Sequence, residues 1–378
     1  GGSIGGLFSA AFLRRAGWDV TVLERSATEL AGRGAGIVTH DALNRLIVAA
    51  GASTDDLGVQ VQDRVVFDHA GAEVARLTLP QIVTSWDRVH SLLRAQVPAG
   101  GYRLGVNVTG FTDHGNAVSV QVEGGPDLQA DLLVGADGFR SAVRAQILPK
   151  VQPIYSGYVV WRALAHESDL SDAVRAHVFP YFGLYLPTGT QIIGYPIAGP
   201  GNDLRPGHRR FNFVWYIPVN KDELQDMLTD DQGHTHAISI PPPLVRADVV
   251  ARGAALAEQL LPPQFIEILA KSERPFFTPI YDHLSPQFHA GRVALLGDAA
   301  CVARPHIGMG VTKAALDGEA LARQTATGDL GDALARYSAE RQPAAMLAMM
   351  TARRLGAMIF DDTTGGANSD GRHNPNQP

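Results

Sequence analysis

Apolar residues along this chain keep two rhythms, and the rhythm changes twice. Leu7, Ala11 and Phe12 share one face of a helix predicted over 5–16, which Gly17 stops. Val20-Thr21-Val22-Leu23-Glu24 follows as a short buried strand ending in an acid. Helix, glycine and strand make half of a βαβ unit. Its first strand is expected upstream, about ten residues before Gly1 by ordinary strand and loop lengths. Helical spacing returns over 41–50 and 86–97, with Ser85 placed to cap the latter. Alternation over 61–79 predicts a hairpin turning at Asp68-His69-Ala70-Gly71, and strands are expected over 118–122 and 128–135.

From about residue 153 the pattern becomes strand-like and aromatic, with predicted strands over 155–163, 178–186, 191–197 and 210–219. In the last, Phe211, Phe213, Trp215 and Ile217 occupy one face, while Asn212, Val214 and Tyr216 occupy the other. Short turns between sequential strands predict a largely antiparallel sheet. Helices are expected after Pro241-Pro242-Pro243. The first rhythm resumes at 292–298, and helices follow over 310–326 and 330–359. The end from Asp361 is polar, rich in Gly and Asn, and predicts a flexible tail over 361–378. No internal repeat is evident.

Composition narrows the class. A chain of 378 residues exceeds one average domain, and 45% hydrophobic with 19% charged residues suits a globular core. A net charge of −6 gives no electrostatic reason to expect nucleic acid or an anionic membrane. No apolar run approaches the roughly 18 residues needed to span a bilayer. Cys301 is the single cysteine, so no intrachain disulfide can form and a reducing, cytoplasmic setting is expected.

Three motifs carry chemistry. Gly1-Gly2-Ser3-Ile4-Gly5-Gly6 opens a helix and fits a dinucleotide fingerprint, with Gly1 and Gly6 in the outer places and Ser3 in the middle one. Such glycines let backbone N–H groups approach a pyrophosphate at a helix N-terminus. Glu24, eighteen residues after Gly6, stands where an acid hydrogen-bonds a ribose hydroxyl. A plain glycine-rich turn followed by a strand-end acid fits equally well. Asp137-Gly138, followed by Ser141 and Arg144, ends a second strand, and by itself also reads as an Asx turn. The third motif is Gly297-Asp298-Ala299-Ala300. It puts an acid at the C-terminal end of a strand, where ligands sit in parallel α/β sheets, and Pro305, Gly308 and Gly310 then break the chain before a helix. That helix start offers unpaired N–H groups and positive potential to an anionic ring.

In this order and spacing, the three motifs resemble the single-component FAD-dependent aromatic hydroxylase superfamily, over roughly residues 1–356. Leu334, Tyr337, Glu340, Arg341 and Pro343 resemble its C-terminal helical segment. Gly157-Tyr158-Val159-Val160-Trp161-Arg162, Phe213-Val214-Trp215-Tyr216 and Arg304-Pro305-His306 are most similar to the 2,6-dihydroxypyridine 3-hydroxylase-like monooxygenases. The resemblance implies an α/β, p-hydroxybenzoate hydroxylase-like fold. Its Rossmann-type FAD-binding domain would comprise 1–60, 85–150 and 283–360. A mostly antiparallel β-sheet substrate domain, 61–84 and 151–282, would be inserted.

The resemblance also implies site roles. Gly1, Gly2, Ser3, Ile4, Gly6, Glu24 and Arg25 would hold the ADP half of FAD. Ile37, Val38, Pro305, Gly308, Met309, Gly310 and Val311 would lie along the flavin. Asp298 would bind the ribityl chain, and Asp137 would serve both FAD and the nicotinamide donor. NADH or NADPH would reduce the flavin, and O2 would form a C4a-hydroperoxide attacked by a small electron-rich ring, hydroxypyridine-like. A purine, a salicylate, a quinone precursor, or flavin binding without oxygenase turnover are the alternatives. A homodimer is compatible with this.

The sequence departs from the family pattern at four places. Ser3 replaces the middle glycine, Cys301 a common histidine, Met309 the glutamine of Gly-Gln-Gly, and Trp86 a common arginine, with Arg88 nearby.

For catalysis, His306 is the candidate base, titrating near neutrality and worth about two to four orders of magnitude in rate. Tyr158, Tyr195 and Tyr216 could orient substrate, though a tyrosine on an apolar strand is also ordinary core. Arg162 could bind a substrate oxyanion or pair with an acid. His234 and His236 lack further ligands at metal spacing, so no metal is expected. Phe213 through Pro218 partly mimics a halogenase signature, but the first lysine is Lys150, so the required N-terminal lysine is missing.

Overall fold

The computed structural model describes residues 1–30 and 36–360. The helix Ile4–Arg15 is buried almost all round, because it packs between the helices Gly310–Gln324 and Trp86–Arg94. Gly17, at φ 95°, turns the chain out of it. Val22–Leu23 then pairs in parallel with Tyr102–Arg103. Ser85 caps Trp86–Arg94 by accepting from Arg88 N at 3.1 Å. Leu133–Gly135 pairs in parallel with Val293–Leu295, so strands some 160 positions apart lie side by side at the centre of this body.

A nine-stranded sheet forms the second body. Its order is Cys301–Val302, Ser272–Leu284, Ile154–His166, Arg210–Pro218, Gln191–Ile197, Phe182–Tyr185, Val59–Phe67, Glu73–Ser85 and Gly36–Val38. Every neighbouring pair is antiparallel except Phe182–Tyr185 with Val59–Phe67. Helices Ala247–Leu260 and Pro263–Ala270 cover one face over a core that includes Trp161, Phe211, Phe213, Trp215 and Phe277. The opposite face carries Tyr158, Val160, Val214, Tyr216 and Ile280. The two faces of Arg210–Pro218 thus bury the sets that period-two alternation assigns them.

The long helix Leu330–Phe360 joins the bodies. Leu334 and Tyr337 lie in the first core, and Phe360 reaches the ring of Tyr158 at 4.6 Å between centroids.

Several elements differ from the sequence expectation. The run over 128–135 is two strands, Leu128–Ala130 and Leu133–Gly135, in different sheets, because Asp131 and Leu132 redirect the chain. Strand was expected from 178, yet helix Asp172–His177 precedes a strand that starts at Phe182, with Ser171 as its cap. The strands Val108–Asp113 and Ser272–Leu284 carry mixed polar and apolar residues with no clean alternation and were not foreseen. The expected tail over 361–378 lies outside the described residues.

Candidate active site

The glycine loop is closed by contacts only glycine allows. A Cβ on Gly6 would sit 1.9 Å from the Gly1 carbonyl oxygen, and one on Gly2 would sit 2.0 Å from the Tyr102 hydroxyl. Ser3 needs no such allowance: it is exposed, in extended backbone, and its side chain leaves the loop. Glu24 is buried and ties the loop down, accepting from Gly2 N and Ser26 N, each at 2.8 Å. Tyr102 and His90 both reach the Gly2 carbonyl at 3.1 Å. Ile4 is buried behind the loop, and Arg25 is exposed beside it.

At the end of Leu133–Gly135, Gly138 takes φ 76° and turns the chain. Asp137 Oδ2 accepts from Val143 N at 3.2 Å, while its buried Oδ1 has no partner among the described residues. Arg144, also buried, donates to the carbonyls of Phe139 and Ala299 and to His283 Nε2 at 3.0 Å. A guanidinium cannot accept, so His283 Nε2 is the acceptor and the ring is neutral. Burial, then the Arg144 charge, pushes the His283 pKa down to about 4.

Asp298 stands in the short turn Gly297–Ala299 after Val293–Leu295. A buried network fixes that turn. Gly297 N donates to Asp317 Oδ2 at 3.0 Å, and Lys313 Nζ donates to the Gly297 carbonyl at 2.8 Å. Arg341 Nε donates to Asp317 Oδ1 at 2.8 Å, and Tyr337 donates to the Leu295 carbonyl. Asp298 itself is solvent-accessible. Surrounding protein raises its carboxyl pKa, opposed chiefly by Lys313. Beyond it, Pro305–Ile307 forms a turn, Gly308 takes φ 63°, and Gly310–Gln324 begins at Met309 with no side-chain cap. Its first N–H groups therefore remain available. His40 Nε2 lies 3.4 Å from the Gly308 carbonyl, which ties the segment after Val38 to the loop before Gly310–Gln324.

The Tyr158 hydroxyl lies 2.7 Å from His306 Nε2, and the Tyr216 ring lies 4.9 Å from the imidazole. Burial, then the Arg304 charge, pushes the His306 pKa down to about 4. Burial raises the Tyr158 phenol and pushes Tyr216 up to about 12. Arg304 and Arg353 both bind the fully buried Asp282, at 2.9 and 2.6 Å, which holds the 304–306 loop against the last helix.

A profile of the family described as FAD binding domain-like matches residues 155–282. The 2,6-dihydroxypyridine 3-monooxygenase of Paenarthrobacter nicotinovorans is 31% identical over 324 residues, spanning 85% of this chain and 80% of that protein. This chain belongs to the FAD-dependent aromatic hydroxylases. The solved 2,6-dihydroxypyridine-3-hydroxylase from Arthrobacter nicotinovorans superposes with a TM-score of 0.89 at 28% identity, covering 98% of this chain and 94% of that one. Klebsiella pneumoniae HpxO, solved with FAD and uric acid, shares the fold at a TM-score of 0.78 and 22% identity, over 96% and 88%.

As a hydroxylase of this family, the chain is an oxidoreductase that uses FAD with NAD(P)H as co-substrate. The residues present fit the cofactor: the glycine cradle would be filled by any Cβ, and the buried Asp137 Oδ1 lacks a partner. An accessible acid at a strand end and an uncapped helix start complete the fit. No helix among the described residues is long and apolar enough to cross a membrane, and none of their His, Cys, Asp and Glu side chains cluster for a metal.

Cys301, in place of a histidine, is buried beneath the last helix, and burial pushes its thiol up to about 11. Sequence reasoning missed Lys313, Asp317 and Asp282. A lysine and an aspartate at i, i+4 on the apolar face of a helix were the available signal.

Proposed function

We propose that this hydroxylase acts on a small, electron-rich, hydroxypyridine-like ring in preference to a salicylate or a purine, with NADH as the preferred donor. The observation that carries this reading is the Tyr158–His306 hydrogen bond flanked by Tyr216, on the loop that leads to Gly308 and the helix Gly310–Gln324. The similarity to 2,6-dihydroxypyridine 3-monooxygenase over 85% of the chain supports the substrate class.

In this reading 1–60, 85–150 and 283–360 hold FAD, while 61–84 and 151–282 supply the substrate wall. Gly1, Gly2, Ser3, Ile4, Gly6, Glu24 and Arg25 hold the ADP half, and Asp137 stands at the junction with the nicotinamide. Asp298 takes the ribityl hydroxyls; Ile37, Val38, Pro305, Gly308, Met309, Gly310 and Val311 line the ring. When bound, the flavin accepts hydride from the nicotinamide and delivers one atom of O2 to the substrate ring.

The chain's own contribution is proton handling and exclusion of water. In this relay the Tyr158 oxygen takes the proton of a ring hydroxyl as its own proton passes to Nε2 of a neutral His306, so that one proton leaves the substrate and one arrives on the imidazole. Losing that proton raises electron density on the ring. Phe360, Val160 and Ile280 keep the site apolar, which protects reactive oxygen species from water.

The test is an NADH-oxidation screen over hydroxypyridines, phenols, salicylate and urate, scoring hydroxylated product against peroxide. Coupled turnover on a hydroxypyridine supports the reading. Coupled turnover confined to salicylate or urate overturns it.

A further inference from the structure

The helix-covered face of the nine-stranded sheet, opposite the face that carries Tyr158, holds a cavity of about 250 Å³. It lies between Ala247–Leu260, Pro263–Ala270 and the start of Ser272–Leu284, over the Trp161 indole. The helices line it with small residues: Gly253, Ala254 and Ala257 at helical spacing on the first, and Ala270 at the end of the second. Larger side chains at these places would fill the space that a close-packed interior normally lacks.

The indole presents its face to this space. A Cβ on Gly253 would stand 2.7 Å from Trp161 Cζ2 and 3.0 Å from both Cε2 and Cη2. Such nearly equal distances put that point over the ring, since a point in the ring plane would lie much farther from both neighbours than from Cζ2. Trp161 is 3% exposed, and its Nε1 has no acceptor among the described residues, so packing alone holds the ring. The third wall is a bulge. The register of Ser272–Leu284 shifts between the pairs Arg162–Phe276 and Leu164–Glu273, and Arg274 there takes φ 44°. A bulge bends its strand, and Ser272 and Pro275 on either side of it line the cavity.

Glu258 is the one charged side chain among those lining the cavity. It is exposed at the end of the Gly253-Ala254-Ala257 stripe and makes no hydrogen bond or ion pair among the described residues. An apolar cavity of about 150 Å³ holds benzene, so this one admits a larger ring. An aromatic face attracts a cation, most strongly when the ring is tryptophan.

We propose that this cavity is a second binding site, for a small organic ammonium ion whose apolar body rests on Trp161 and whose nitrogen meets Glu258. The sheet divides it from the Tyr158–His306 pair, so the site does not depend on which ring the enzyme hydroxylates.

The test is titration calorimetry of the FAD-loaded enzyme without NADH. The probes 1-naphthylmethylammonium and 1-naphthalenemethanol have nearly the same shape and differ in charge. The ammonium should bind saturably and about three- to tenfold more tightly than the alcohol, the range of a partly exposed ion pair with an aromatic contact. Glu258→Gln should remove that preference and leave alcohol binding within about twofold. Ala254→Leu, which fills the cavity from an exposed helix position, should weaken both probes at least about tenfold.

Three results overturn the site: no saturable binding of either probe at millimolar concentration, a preference for the ammonium that is absent in wild type or survives Glu258→Gln, or undiminished binding in Ala254→Leu. Each variant is compared at matched melting temperature and FAD content. Where Ala254→Leu fails that check, Ala270→Leu fills the cavity from the other helix and is read by the same criteria.

Discussion

The Tyr158 hydroxyl and His306 Nε2 lie 2.7 Å apart, one on a sheet strand and the other on the loop before the helix Gly310–Gln324. Both side chains are largely enclosed, so this bond couples the nine-stranded sheet to the loop carrying Pro305 and Gly308. Replacing Tyr158 by Phe removes the hydroxyl and leaves His306 Nε2 without this partner. The expected result is a fall of about 10- to 100-fold in kcat for ring hydroxylation, with KM for NADH unchanged. Steady-state kinetics with product quantified would show it; a loss confined to KM would instead assign Tyr158 to packing.

The two neutral histidines predict a stability profile. His306 and His283 titrate at about 4 in the folded chain, against about 6.5 when unfolded. Above pH 6.5 neither state binds the extra protons, and the contribution is fully present. As pH falls from 6.5 towards 4, the unfolded chain takes up protons that the folded chain refuses, so stability is lost. Urea midpoints should decline steadily across that window, and His306→Gln should flatten the slope. A slope unaltered by that substitution would remove His306 from the account.

Gly356 lets the last helix close over the pair. A Cβ there would sit 3.0 Å from the Tyr158 hydroxyl and 3.1 Å from His306 Nε2. Elsewhere in a helix, Gly→Ala stabilises by about 1 kcal/mol. Here Gly356→Ala should gain little or nothing in melting temperature while raising the share of NADH diverted to peroxide. A clear rise in melting temperature with coupling intact would contradict this contact.

Asp317 is fully buried between Lys313 and Arg341 and also accepts from Gly297 N. Asp317→Asn keeps the shape but leaves two cations without an anion, a loss of about 3–5 kcal/mol by analogy with broken buried pairs. The Gly297-Asp298 turn should loosen with it. Purified protein is expected to melt lower and carry less FAD, read from the ratio of flavin to protein absorbance.

Glu24 ties the glycine loop at Gly2 to the turn at Ser26 through two charge-assisted bonds. Glu24→Gln should weaken FAD binding by about 10- to 100-fold, each such bond contributing about 1.5–3 kcal/mol. Titration of the apoprotein with FAD, followed by flavin fluorescence quenching, measures this directly.

Local physics made much of this protein legible in its sequence. The helix Ile4–Arg15, the hairpin turn at Asp68–Gly71, the Ser85 cap and the two-faced strand Arg210–Pro218 follow from spacing and capping chemistry within a few residues. The motif order of Gly1–Gly6, Asp137-Gly138 and Gly297-Asp298 was enough to indicate the family. These signals survive because a short motif keeps its conformational preference wherever it is placed.

Only the tertiary structure decided which distant groups meet. Leu133–Gly135 and Val293–Leu295 became neighbours through sheet pairing, and Asp282 drew together Arg304 and Arg353. Lys313 looked like an ordinary helix residue until burial paired it with Asp317 and the Gly297 carbonyl. Arg162 was ambiguous in sequence between an oxyanion ligand and an ion pair, and sheet register put it opposite Val214 with no carboxylate bound to it among the described residues. Hydrophobic periodicity records which face of an element is buried. The partner of each charge depends on long-range closure of the sheet, which no local pattern encodes.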